Sequence, residues 1–480
     1  MKNRLYLHLM ANREKGFALP LAVLIGLILM VTGMTMMMRV QGDQSKVIAQ
    51  KARADALRSA ETGVARVQDL LNSVRFMATV DSNCTSGNCW ERACSNPNDA
   101  DTLKAKIAEL KDLSGGQWSD LGNNRYYRVV NYVYLDKTEK TPPPDGLGWG
   151  VLTLEGRSRT SDATDLTNTG PNIDDGDNAA PRNRVVVTIP ILDSPTPPPP
   201  SGRPAFERNT VPALWISEGT ADDGAKFQGD VVEDGAKFQG DVVGDVESPG
   251  CIINQDKIQQ PTPAPNPPYE AQFVGVFFRD LPAIPDGDTI PNLGDIESSE
   301  TFPRTGDTAS TSGVYEYIVD NINLSSGNIT ITAGQRVVFY VKGNINGAIE
   351  HDCSSVTEPT VCKSGNLQIY ADGSGSTAPQ ICLTGSDRLE AFIFAPDYSL
   401  GKTGTGDFIG AAWGKNWGKI TDCASNNGSV AVIQGVEWTE LITNLRPQFP
   451  QLGKIANWCE EPIDTAAGAS VCVPSPSPSP

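Results

Sequence analysis

Apolar positions follow three different periods along this 480-residue chain. The first is no period at all: 22 residues from Phe17 to Met38 carry no charge, and Arg39 ends the run. As a helix it is about 33 Å long at ~1.5 Å per residue, enough to cross a hydrocarbon core of ~30 Å. A helical period continues beyond it. Val40, Val47, Ala52, Ala56, Ala60, Val64, Val67, Leu71 and Val74 recur at steps of three, four, five or seven, with Gln, Lys, Arg and Asp between them. One continuous helix is therefore expected from about Ala18 to Val74, greasy all round in its first half and amphipathic in its second. Pro20 is tolerated in it because a proline in the first turn removes an N–H that has no partner to lose.

Period two takes over after a short helical patch, TLKAKIAELKDL. Three runs alternate, are rich in β-branched and aromatic residues, and are bounded by Pro, Gly and Asp clusters: 125–135, 148–160 and 182–192. They predict a small antiparallel sheet behind the long helix. DSPTPPPPSGRP (193–204) reads as a stiff extended spacer, and QQPTPAPNPPYE (259–270) as a second spacer or loop. Between them DGAKFQGDVV occurs at 223–232 and again at 234–243, which suits a repeated short strand plus turn or a local duplication in a loop. From 313 onward short strands crowd together (VYEYIV, NITIT, RVVFYVKGNI, NLQIYA, AFIFAP, SVAVIQGVEW) with turns of Gly, Asn, Asp and Ser between them. An all-β domain follows, as a sandwich or as a coiled, solenoid-like stack. The fold class expected for the whole is α+β.

Charge adds a direction and excludes a partner. Lys2, Arg4, Arg13 and Lys15 outweigh Glu14, so the short tail before the apolar run is expected to stay in the cytoplasm, with the remainder outside it. The run is too long for a secretory h-region and no A-x-A pattern follows it. An N-terminal inner-membrane anchor is the plain reading. Without residues 1–16, which hold four basic residues and one acidic one, 35 Lys and Arg face 56 Asp and Glu, a net charge of −21. Such a surface repels phosphate backbones, and no nucleic-acid partner is expected.

Ten cysteines in an exported chain read as disulfides. Cys459 and Cys472 are spaced to close a loop near the C-terminus, and Cys353 and Cys362 to close another. Cys84, Cys89 and Cys94 form a trio around Trp90, so at least one of them pairs elsewhere. Zinc is disfavoured because no C-x-x-C occurs and His351 is the one histidine outside residues 1–16.

Catalysis finds little support. Acyl transfer needs a base beside its nucleophile, and no G-x-S-x-G elbow accompanies His351. Paired carboxylates that would cleave polysaccharides are not singled out by any spacing. No cofactor is expected, and the chain is read as not an enzyme. Calcium has weak candidates in Asp174, Asp175 and Asp177 of NIDDGDN and in PDGDTIPNLGD (285–295), but neither fits the EF-hand pattern and solvated acidic turns account for both. Trp413 and Trp417, close to Trp438, Phe408 and Tyr398, are candidates for a platform that binds a surface glycan or a protein, although aromatics in a thin β-stack more often form its core.

Lys15, Gly16, Phe17, the apolar run and its amphipathic continuation resemble a type IV pilin. RADALRSAETGVARVQ is similar to the end of the N-terminal helix in PilX-type minor pilins. The resemblance implies cleavage after Gly16 by a prepilin peptidase, N-methylation of Phe17, and packing of the helix against other pilin subunits by an inner-membrane assembly machinery. In the family the fifth mature residue is commonly glutamate, and here it is Leu21. That departure favours a minor pilin or pseudopilin over a major one. YVKGNINGAIE, GNLQIYADG and EAFIFAPDYSLGKTGTGDFIGAAWGKNW resemble Gly-rich, β-helix-like domains on the C-terminal side of PilX-like surface proteins, which favours the solenoid.

The expected organisation is a leader at 1–16, a membrane and filament-core helix at 17–38, its amphipathic continuation at 39–76, a small α+β domain at 77–193, and a Pro-rich linker at 194–204. An all-β domain would fill 205–460, and a Cys-loop with a Pro/Ser tail that has no means of burying a core would end the chain at 461–480. The expected function is a filament subunit displaying an acidic β-rich domain for adhesion, recognition or assembly priming. The competing classes are an anchored envelope protein outside any filament and a polysaccharide-active β-helix enzyme.

Overall fold

The computed structural model describes residues 18–83, 89–96, 99–136, 140–143, 146–158, 182–194, 204–217, 221, 225–233, 253–273, 278–285, 289–356, 361–420, 432–447, 449–461, 470 and 472. Its first element is one unbroken helix, α1 (Ala18–Ser73), of 56 residues, roughly 84 Å long. Among the described residues nothing covers the apolar half, and Leu19 to Val40 present their side chains outward on all sides. Thr32 and Thr35 keep this half free of unpaired hydroxyls by donating to the carbonyls of Ile28 and Val31, at 2.9 and 3.0 Å. From Ala52 onward one face goes under: Ala52, Ala56, Ala60, Val64, Val67, Leu71 and Val74 are buried.

What buries them is an antiparallel sheet of β1 (Ser119–Asp120), β2 (Arg125–Asp136), β3 (Gly146–Ser158) and β4 (Arg182–Ser194), paired in that order. These are the three alternating runs of the sequence with one short strand added. A second helix, α2 (Asp101–Ser114), buries Ile107, Leu110 and Leu113 at helical spacing. Trp90 stacks on Tyr132 with ring centroids 5.0 Å apart, and its indole N–H donates to the Met77 carbonyl at 2.8 Å.

The remaining strands form a parallel solenoid, which decides between the two all-β architectures. Four short strands come first in the chain: β5 (Leu214–Ile216), β6 (Phe227–Gln228), β7 (Val231–Glu233) and β8 (Ala271–Phe273). The continuous stack follows as β9 (Glu300–Phe302), β10 (Val314–Val319), β11 (Ile322–Ile331), β12 (Arg336–Val341), β13 (Ile345–Glu350), β14 (Leu367–Ala371), β15 (Gln380–Leu383), β16 (Leu389–Lys402), β17 (Phe408–Trp417) and β18 (Val432–Gln434). Every pairing among them is parallel. The register stacks Tyr317, Phe339, Ile369, Ile393, Ala412, Leu214, Val231 and Ala271 on successive rungs, and all eight are buried. Between β17 and β7 the rung is supplied by β5, a segment some 200 residues earlier in the chain. The solenoid therefore runs back onto the place where it began.

One expected boundary changes. β19 (Phe449–Leu452) and β20 (Asn457–Glu461) are not part of the solenoid; both pair antiparallel with β4, Gln451 opposite Leu192 and Cys459 opposite Val186. The all-β unit thus does not extend to 460, because the outer edge of β4 needs partners and the returning chain provides them. Of the two readings of 259–270, spacer or loop, the loop is found: Gln260 donates to the Tyr269 carbonyl at 2.8 Å and accepts from the Tyr269 amide at 2.9 Å. The first copy of the repeat spans two strands on different parts of the sheet, since β6 pairs with β18 while β7 pairs with β5 and β8. Its second copy lies outside the described residues. The chain is α+β, with strands predominating.

Candidate functional site

α1 is the feature with the clearest physical task. Its uncovered apolar half presents about twenty side chains that water solvates poorly, and its buried half fixes it rigidly to the sheet. The seat is shaped by small residues. A Cβ at Gly156 would lie 2.5 Å from the Ala60 amide nitrogen, and one at Gly63 would lie 2.6 Å from the ring of Tyr127. Glycine at 156 and 63, with alanine at 52, 56 and 60, lets helix and sheet backbones approach.

Beside Gly156 stands a buried carboxylate. Glu155 is fully buried, receiving Arg128 at 2.7 Å on one oxygen and Arg184 at 2.8 Å on the other. Arg184 also faces Glu461 of β20 at 3.7 Å. This cluster joins β2, β3, β4 and β20 on the face of the sheet away from the helix, since the next residue, Gly156, faces α1, and no spacing in the sequence announces it.

The solenoid is sealed at its β8 end by the small domain. Asn96 accepts from the Phe273 amide at 2.7 Å and donates to the Phe273 carbonyl at 2.9 Å, pairing an edge strand with a side chain. Nearby, Arg208 forms an ion pair with buried Asp230, donates to the Pro268 carbonyl at 2.8 Å, and lies over the Tyr269 ring. Both contacts were invisible as sequence, because each joins residues far apart in the chain.

The tryptophan platform is overturned. Trp413 and Trp417 are both buried. Trp413 continues a ladder of outward-pointing rings, Tyr340, Tyr370, Phe394, Trp413 and Trp215 on successive rungs, which Phe206, Phe278 and Trp438 cover. Trp417 points inward and stacks on Phe408 at 6.2 Å. Neither ring offers an open face to a ligand, because the segments around 206, 278 and 438 fold over the ladder and exclude water from it.

Both short cysteine loops close as disulfides, Cys353–Cys362 and Cys459–Cys472. Cys472 is buried beside Val151 and Val186, so the second bridge pins the chain end to the sheet. Cys89 and Cys94 are each disulfide-bonded, as is Cys382. Gly16, Phe17, Cys84, Asp174, Asp175 and Asp177 lie outside the described residues, and Leu21 is in the first turn of α1, exposed.

His351 is buried, with Nδ1 2.5 Å from the Glu390 carbonyl oxygen and Nε2 close to both sulfurs of Cys353–Cys362. Burial holds its pKa below the ordinary histidine value. With one nitrogen engaged and the other against a disulfide, the ring has no free edge for a substrate.

No protein-family model matches the chain, and no curated protein is similar to it. Among solved structures, the competence-associated pilin ComZ from Thermus thermophilus is similar at 10% identity over 85% of this chain and 98% of that one, with a TM-score of 0.19. An overlap of that quality fixes neither fold nor function.

Proposed function

We propose that this protein is a pilin-like subunit of an envelope filament, of the minor pilin or pseudopilin kind. The observation that carries the reading is α1: one helix, apolar and uncovered from Leu19 to Val40, then buried along one face against an antiparallel sheet. An ordinary anchor needs only the first part. A strut of roughly 84 Å, seated at its far end in a folded head, is far longer than a membrane crossing needs and suits packing of helices side by side.

In this reading the apolar half sits in the inner membrane and then against other pilin subunits. A prepilin peptidase cuts between Gly16 and Phe17, Phe17 is methylated, and an inner-membrane machinery extracts the helix. Leu21 in place of a glutamate suits an initiating or tip position, since no carboxylate has to find a partner inside the apolar core. The solenoid, held outside the cytoplasm, serves adhesion, recognition or assembly priming, and any glycan or protein ligand meets its exposed loops rather than Trp413 or Trp417. The protein is not an enzyme in this reading.

The deciding experiment is the mass of the N-terminus of the protein purified from its native membrane. A chain beginning at Phe17, methylated or not, is expected. A chain still beginning at Met1 would reduce α1 to an anchor and remove the filament reading.

A further inference from the structure

The corner between β13 and β14 holds a cluster for which a filament subunit has no need. His351 follows β13 in a parallel bridge to Leu389. Its Nδ1 lies 2.5 Å from the main-chain oxygen of Glu390, and a carbonyl only accepts. Nδ1 therefore carries the proton and donates it, which leaves Nε2 with a lone pair. That lone pair faces Cys353 Sγ at 3.7 Å and Cys362 Sγ at 3.6 Å.

These two separations have the dimensions of a coordination polyhedron. In a tetrahedral site with metal–sulfur bonds of about 2.3 Å and metal–nitrogen bonds of about 2.0–2.1 Å, the nitrogen–sulfur edge is about 3.6 Å and the sulfur–sulfur edge about 3.8 Å. Both nitrogen–sulfur edges of a Cys2His set already stand at that length. Only the sulfur–sulfur edge, now spanned by the covalent bond, has to open.

The surroundings favour the same geometry. An imidazole whose other N–H is held by a main-chain carbonyl is the outer-shell arrangement that metal-bound histidines use. The Glu390 carboxylate holds both arms of the loop: it accepts from the Cys353 amide at 3.2 Å and from the Ser364 hydroxyl at 3.1 Å, while Arg388 donates to it at 2.8 Å. Breaking the disulfide would leave those arms hydrogen-bonded in place. Within reach of one another, His351, Cys353 and Cys362 are the group of ligand side chains that the described residues bring together for a metal ion.

We propose that His351, Cys353 and Cys362 form a redox-gated zinc(II) site, closed as the disulfide and opened by a dithiol reductant. The disulfide takes two electrons and two protons from the dithiol, which leaves as its own disulfide. Zinc then displaces the two thiol protons to solvent and binds two thiolates and Nε2, with water in the fourth position. This site does not depend on the filament reading, and its test is separate from the processing of the N-terminus.

The test is a cobalt(II) titration of the full chain in detergent after reduction with a dithiol and its removal under anaerobic conditions, followed by displacement with zinc(II). Reduction exposes other cysteines too, so the background is the Cys353→Ser, Cys362→Ser double variant. Reduced wild-type protein is expected to bind one equivalent of cobalt beyond that background, with a thiolate-to-cobalt charge-transfer band that zinc abolishes. His351→Gln, whose amide can still donate to the Glu390 carbonyl, is expected to weaken that binding at least tenfold, while its thermal unfolding in the oxidised state shows that it folds. The proposal is overturned if wild type binds no more cobalt than the double variant, or if His351→Gln binds as tightly as wild type.

Discussion

The backbone of Ala60 in α1 lies directly against Gly156 in β3. A Cβ at residue 156 would stand 2.5 Å from the Ala60 nitrogen and 3.0 Å from the Ala60 Cβ, and it would collide with the Ala56 carbonyl oxygen. Two of these three obstacles are backbone of a long helix, which cannot step aside as a flexible side chain can. This is one of the closest backbone approaches in the seat of the strut.

Gly156→Ala is therefore expected to lift α1 from the sheet and to destabilise the head by about 1–3 kcal/mol, the usual effect of overpacking a tight interface. Denaturant unfolding of the detergent-solubilised chain reads it. Gly115→Ala is the control, because a Cβ there meets nothing nearer than 3.5 Å, and a change within ~0.5 kcal/mol is expected. Equal losses in both variants would mean that the seat is not where the helix is held.

Glu155 ties together the opposite face of the same sheet by electrostatics. Its carboxylate answers two guanidiniums while having no exposure of its own. Glu155→Gln keeps the shape and removes the charge, leaving Arg128 and Arg184 facing each other without the carboxylate they share. A loss of about 3–5 kcal/mol is expected, because breaking a buried pair leaves uncompensated charge. The companion variant Glu461→Gln should lose far less, as its contact to Arg184 is longer, at 3.7 Å. Parity between the two would show that the cluster is not centred on Glu155.

Local period was enough to locate α1, α2 and β2 to β4, because each repeats one spacing over many residues and buries the face that the spacing marks. The short strands from 314 onward were legible as strands for the same reason. Their partners were not. The pairing of β20 with β4 joins Cys459 to Val186 across more than 270 residues, and nothing local in either segment names the other. The insertion of β5 between β17 and β7 is of the same kind. Trp413 could be read as platform or as core, and the choice was not local, because it depends on Phe206, Phe278 and Trp438 closing over the ring. His351 stood two residues from Cys353 in plain view, yet the approach of Cys362 and of the Glu390 carbonyl depends on where the loop and the next rungs fall.

Asp81 carries a pH signature that can be read without touching the helix. Its carboxylate accepts from the Tyr134 amide at 2.8 Å, and it is half-buried at the bridge to Cys89. Burial raises its pKa above the ordinary aspartate value of 3.8, and the Tyr134 hydrogen bond offsets only part of that. A carboxyl whose folded pKa is raised binds its proton more tightly in the folded state. Its ionised form therefore opposes folding at neutral pH, and that opposition fades as pH falls through the folded pKa and is gone below 3.8. Asp81→Asn keeps the acceptor oxygen for Tyr134 and removes the charge. The variant is expected to be the more stable of the two at pH 7, and the gap should close as the pH is lowered toward 3.8. Paired unfolding curves at pH 7, 5 and 4 test it. A gap that is absent at pH 7, or that widens on acidification, would mean that the hydrogen bond outweighs burial at this carboxylate.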